Sequence, residues 1–349
     1  MCPTSPAPPR PVALGAPALP PVPFDPELVT ALEALAAQAQ PPLTEAGLTA
    51  SRGGDPGYPD GAAVAQSFGV SAEEMRIPGP AGAPELEITV FRPASADSGA
   101  ALPARALPVL VNFHGGGMIV GHRSWEHARV AELVAKHGVI GVNVEYRLAP
   151  EHPFPAGVED NYAATCWVAA HAVDLGADPA QLIVMGGSAG GGFAAAVALM
   201  ARDRGGPSIA GQLLLCPMLD NTNTTVSSLQ YDGIGTWQRD ANLLAWRCVL
   251  GEGRAYAADA PAYAAPARAT DLSGLPPAFI EVGAAEMFRD EDTTYARRLW
   301  ETGGQAELHV WAGGFHGFDV YAPESEIARA ALATRDSWLR RITRGGGGA

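Results

Sequence analysis

The chain has 349 residues, 47% of them apolar and 17% charged, enough hydrophobic side chains for a large core. Its length suits one α/β domain carrying an insertion. A formal charge of −14 argues against nucleic acid or an anionic membrane surface as partner and leaves a small neutral substrate as the expectation.

No apolar run reaches the ~18 to 20 residues that span a bilayer. The N-terminus shows no basic region followed by an apolar one, so no secretory signal is visible and the cytoplasm is the expected compartment. Cys2, Cys166, Cys216 and Cys248 lack zinc or dithiol spacing and read as small hydrophobes.

In chain order, residues 1–23 are dominated by Pro and Ala and are expected to form a flexible arm. The run FDPELVTALEALAAQAQ (24–40) places Leu28, Leu32 and Leu35 on one helical face, with Asp25 as N-cap, Pro26 in the first turn and Pro41 and Pro42 ending it. Residues 24–75 are expected to be N-terminal helices contributing to a cap. ELEITVF (85–91) alternates, with Leu86, Ile88 and Val90 on one side, and predicts a half-exposed antiparallel strand near a sheet edge.

The next strand candidates are nearly continuous apolar runs: LPVLVNF (107–113), VIGVNV (139–144), QLIVMG (181–186) and AGQLLLC (210–216). Such runs suit parallel strands covered on both faces. Helical segments at 124–137, 158–171 and 190–202 separate them, and PAFIEVG (277–283), a helix at 293–302 and AELHVWAG (306–313) continue the series. This alternation predicts an α/β fold on a mostly parallel, doubly wound sheet, its core formed by 76–218 and 274–344. Between 219 and 273 no strand pattern appears, and that segment is read as an inserted helical cap over the carboxyl ends of the strands. The Gly-rich residues 345–349 are expected to be a flexible tail.

Gly186-Gly187-Ser188-Ala189-Gly190 matches G-x-S-x-G, the strand-to-helix elbow that exposes a serine hydroxyl. An apolar strand enters it and an Ala-rich helix leaves it, which makes Ser188 the candidate nucleophile. A hydroxyl needs a base within hydrogen-bond reach and donors for the developing oxyanion. His114-Gly115-Gly116-Gly117 follows a strand and can turn backbone N–H groups inward. His114, His122 and His127 have no carboxylate or cysteine at ligand spacing, so no metal is expected.

With the base last in the chain, His309 and His316 are the candidates. His309 lies in a strand, whereas His316 lies in the loop GGFHGF and can face the elbow. Glu286, Asp290, Glu291 and Asp292 all follow the strand PAFIEVG. Glu286 sits in the loop and is favoured, with Asp290, where a helix begins, as the alternative. Met218, Trp237 and Trp246 are candidates for lining a substrate pocket.

HGGGMIVGH (114–122), YRLAPEHPFPAGVED (146–160), GGSAGG (186–191), EMFRDE (286–291) and FHGF (315–318), in this order and spacing, resemble the hormone-sensitive-lipase-like family of bacterial carboxylesterases. The likeness runs from about Leu86 to Phe318. It implies a capped α/β hydrolase that needs no cofactor, acts on short- to medium-chain esters, and draws its oxyanion donors from Gly116, Gly117 and Ala189. The YRLAPEHPFP segment reads as structural, its prolines fixing a loop under the glycine turn. Two positions depart from the family pattern: Glu286 stands where aspartate is common, and Gly187 where an acidic residue or threonine is frequent. An inert ligand-binding protein on this fold, an amidase and an acyltransferase are the competing readings. A homodimer is compatible with the sequence.

Overall fold

A computed structural model describes residues 19–38, 43–52, 60–94 and 106–344. The expectations for Cys2, residues 1–18 of the arm, Pro41, Pro42 and the tail lie outside them.

Asp25 accepts a hydrogen bond from the Glu27 N–H at 2.8 Å and caps α1 (Pro26–Ala37), as the Asp-Pro pair implies. Leu28 on α1 is buried with Phe315 and Phe318. From α2 (Leu48–Arg52), Arg52 Nε donates to the Ile119 carbonyl at 2.6 Å. The next helix behaves differently. Val64 and Ala65 of α3 (Gly61–Phe68) pack with Phe91 and Val130 on a face of the sheet, so α3 covers the core.

A strand absent from the sequence reading follows: β1 (Val70–Ile77) crosses the boundary drawn at residue 75. Only its end residues, Val70 and Ile77, are buried, so VSAEEMRI carries no period-2 pattern. It pairs antiparallel with β2 (Leu86–Pro93) from Val70–Pro93 to Ile77–Leu86. As a result β2 stands second from the edge, and its Thr89 and Phe91 are buried along with Leu86, Ile88 and Val90.

The remaining elements follow the expected rhythm. They are β3 (Leu107–Phe113), α4 (His127–His137), β4 (Ile140–Val144), α5 (Ala156–Ala170), α6 (Ala172–Leu175), β5 (Ala177–Gly187), α7 (Ala189–Arg204) and β6 (Gly211–Leu215). Residues 219–273 hold α8 (Val226–Gln230) and α9 (Arg239–Leu250) and no strand. Then come β7 (Ala278–Gly283), α10 (Arg289–Glu301), β8 (Ala306–Trp311), α11 (Phe318–Tyr321) and α12 (Glu326–Arg344).

The eight strands are ordered β1-β2-β4-β3-β5-β6-β7-β8, with β1 and β2 antiparallel to their neighbours and the rest parallel. Helix α12, not anticipated from the sequence, packs Trp338 and Leu339 on Phe279 and Leu213. Residues 189–201 of α7 are all buried. Among the described residues no helix is long and apolar enough to cross a membrane.

Candidate active site

Strand β5 hands Ser188 to α7 through a turn in which Ser188 has φ 56°, a left-handed conformation that costs an L-residue energy. Two glycines make that turn possible. A Cβ on Gly190 would lie 1.9 Å from the Phe113 carbonyl oxygen, and one on Gly186 would lie 2.3 Å from the Gly190 carbonyl carbon. The Ser188 N–H donates to Leu215 O at 2.8 Å, and its carbonyl accepts from the N–H groups of Gly192 and Met218. Ser188 keeps 8% of its surface exposed.

The loops after β7 and β8 are laced together by the N–H groups of Ala284 and Ala285, which donate to Trp311 O and Gly314 O. They press so closely that a Cβ on Gly283 would lie 2.0 Å from Gly314 O. This contact brings Glu286 and His316 together. His316 Nδ1 pairs with Glu286 Oε2, while Glu286 Oε1 accepts the Gly283 N–H at 3.1 Å. On its other side, His316 Nε2 lies 3.0 Å from Ser188 Oγ. Phe288 meets the imidazole edge-on at 5.2 Å.

The other candidates have other partners. Asp290 accepts the Ser227 N–H at 2.7 Å and ties α10 to α8. Glu291 accepts the N–H groups of Leu219 and Asp220, and burial pushes its carboxyl well up. Burial likewise raises the carboxyl of Asp292. His309 contacts Glu307 at 3.1 Å and stacks on Trp311.

The glycine turn passes beside the serine, since a Cβ on Gly115 would lie 3.5 Å from Ser188 Cβ. Gly116 and Gly117 have φ of 112° and 60°, and the Gly116 carbonyl accepts from the N–H groups of Ile119 and Val120. Ala189 opens α7, where helix geometry leaves N–H groups without intrahelical acceptors and positive potential gathers. Behind the turn, buried His114 stacks on Tyr146 at 4.0 Å, and burial lowers its pKa to about 3, so it is neutral. The Ala149 N–H donates to Met118 O, seating the Pro-rich loop under the turn.

The cap touches both halves of the site through two adjacent residues. Thr236 Oγ1 donates to the His316 carbonyl at 2.5 Å. The Trp237 ring lies against the glycine turn, where a Cβ on Gly117 would come within 2.5 Å of its Cη2. Trp237 Nε1 donates to Asn242, which in turn donates to Asn223. Met218 and Trp246 are fully buried. Thr236 and Asn242 belong to no motif and had no signal in the sequence.

Among the described residues, one group of three possible metal ligands, Cys216, Glu286 and His316, has its ligand atoms within 4.8 Å. Glu286 and His316 are already bonded to each other. Burial, with the charge of Glu286, raises the Cys216 thiol well above its ordinary range.

A family profile described as alpha/beta hydrolase fold matches residues 110–320, more than half of the chain. The carboxylesterase NlhH of Mycobacterium tuberculosis is 39% identical over 245 residues, covering 67% of this chain and 74% of its own. Esterase LipI of the same organism is 38% identical over 222 residues, 62% of this chain and 67% of its own. Among solved structures, a bacterial heroin esterase superposes with a TM-score of 0.82 at 39% identity, over 92% of this chain and 98% of that one. With the fold and motif order, these matches show that the chain belongs to the hormone-sensitive-lipase-like family of α/β hydrolases.

Proposed function

We propose that this chain, a carboxylesterase of the serine-hydrolase class, cleaves short- to medium-chain acyl esters through a Ser188–His316–Glu286 triad and an acyl-enzyme. The observation that carries the reading is the unbroken relay from Ser188 Oγ through His316 to Glu286. His316 Nε2 takes the hydroxyl proton as Ser188 attacks the ester carbonyl. The N–H groups of Gly116, Gly117 and Ala189 receive the oxyanion, reinforced by the α7 N-terminus. Imidazolium then protonates the departing alcohol. Water, activated by the same imidazole, releases the acid and restores the serine. Glu286 holds the tautomer and stabilises the imidazolium.

Trp237, beside Gly117, is the candidate wall of the substrate pocket. Met218 and Trp246, being fully buried, are assigned a supporting place behind it. Domain limits at 76–218, 219–273 and 274–344 remain the working division, with α3 and β1 moved to the core side.

The test is a panel of p-nitrophenyl esters of increasing acyl length, with matched amides and an alcohol acceptor. Short and medium esters are expected to react fastest, and Ser188→Ala to lose about 10⁴-fold in turnover. Half-retained activity in that variant would remove Ser188 from the role. Faster amide cleavage or acyl transfer would favour the amidase or acyltransferase reading.

A further inference from the structure

A largely buried cluster of charges connects the chain just after His316 to the neighbourhood of the Ser188 elbow. Asp319 follows His316 into α11, and its Oδ2 accepts from Nη2 of Arg335 at 2.9 Å. The same oxygen lies 3.7 Å from Nη2 of Arg129. Fully buried Arg335, on α12, also donates through Nε to Glu281 of β7 at 3.1 Å. Glu281 in turn accepts from Trp311 Nε1, at the end of β8, at 3.3 Å.

Arg129 extends from α4 and pairs with Glu126 at 3.0 Å. Its Nη1 lies 3.2 Å from where a Cβ would stand on Gly187, the residue that precedes the serine. Burial alone would raise the carboxyl of Asp319, but the guanidinium groups of Arg335 and Arg129 outweigh it and hold Asp319 below its ordinary range. The clamp is therefore charged on both sides at neutral pH. It joins α4, α11, α12 and β7, the elements around the acid and base loops.

We propose that Asp319, clamped between Arg335 and Arg129, is a positioning residue that fixes the His316 loop against the Ser188 elbow. The inference rests on the reading of His316 as the base. The 3.0 Å contact from His316 Nε2 to Ser188 Oγ spans two separate loops, and a drift of about 1 Å carries it beyond hydrogen-bond range. Misplacement on that scale costs up to ~10²-fold in rate. Asp319 is not assigned to the substrate pocket, so the loss belongs in kcat.

The experiment compares the full-length wild type with Asp319→Asn, Asp319→Glu and Arg129→Gln. It reads kcat and KM for a p-nitrophenyl ester and the low-field proton resonance of the His316–Glu286 hydrogen bond. Asp319→Asn is expected to lower kcat about 10- to 100-fold with KM within about twofold, and to broaden that resonance. Arg129→Gln should act in the same direction more weakly, and Asp319→Glu should recover most of the rate. A folded Asp319→Asn enzyme with wild-type kcat and an unchanged resonance overturns the proposal. Should Asp319→Asn not fold, Arg129→Gln decides, since it leaves the Arg335 pairs in place: wild-type kcat there overturns the proposal, and reduced kcat supports it. Failure of the wild type to react with a fluorophosphonate would refute the base reading itself, so the two failures are distinguishable.

Discussion

His316 Nδ1 donates to Glu286 Oε2, and the second oxygen of that carboxylate is held by the N–H of Gly283, the last residue of β7. The Glu286 carboxylate, the proposed acid, is thus held by the strand end as well as by the imidazole. Glu286→Gln, which keeps the shape and removes the charge, is expected to lower kcat by roughly 10³- to 10⁴-fold. Glu286→Asp retreats by about one methylene and should cost about tenfold. Asp290→Asn, which disturbs the tie to α8 and the pair with Arg289, should stay within about threefold. Steady-state kinetics on one ester separates the three, and a large loss in Asp290→Asn would move the acid role to Asp290.

The glycine turn makes a second, steric prediction. In Gly117→Ala the new methyl meets the Trp237 ring, a side chain that can move, although φ stays in the left-handed region. In Gly116→Ala it lies 2.1 Å from the Val120 carbonyl oxygen, which is backbone and cannot yield cheaply. Both substitutions should lower kcat by about 10²-fold or more through the oxyanion donors. Adding Trp237→Ala is expected to recover part of the Gly117→Ala loss and none of the Gly116→Ala loss. Equal recovery in both would contradict the geometry.

Buried histidines set the acid limit of stability. Burial lowers His114 from 6.5 to about 3 and His127 from 6.5 to about 4. The unfolded chain therefore binds more protons below pH 6.5, and stability is lost as pH falls toward those values. Glu145 acts oppositely. Burial raises it from 4.5 to about 7, so it adds stability as pH falls from 7 to 4.5. The trends offset one another above pH 4.5; below it the histidines go on losing stability, joined below pH 3.8 by carboxyls held under their ordinary range, Asp319 among them. Urea unfolding should show a loss on the order of a few kcal/mol between pH 4.5 and 3. His127→Gln should shrink that loss, and an equally steep fall in the variant would contradict the assignment.

The sequence and the structure agree most closely where chemistry dictates residue type. An elbow needs glycine on both sides of a strained serine, a parallel strand needs a continuous apolar run, and a base needs a loop; Gly186, Gly190, Val184 and His316 carry those constraints visibly. What stayed hidden was set by neighbours remote in the chain. Strand β1 is held by its pairing with β2 rather than by its own pattern, and α3 covers the sheet because Val64 finds Phe91 and Val130. Thr236, Asn242, Arg129 and Asp319 gain their places only once the cap, α4 and α12 close on the site.

The most direct test of the account is covalent capture of the nucleophile. A fluorophosphonate probe, followed by intact mass and peptide mapping, should add one phosphonyl group to the wild type at Ser188. Ser188→Ala should gain no label, and His316→Gln should be labelled far more slowly. A label on another residue, or Ser188→Ala labelled at the wild-type rate, would contradict the account.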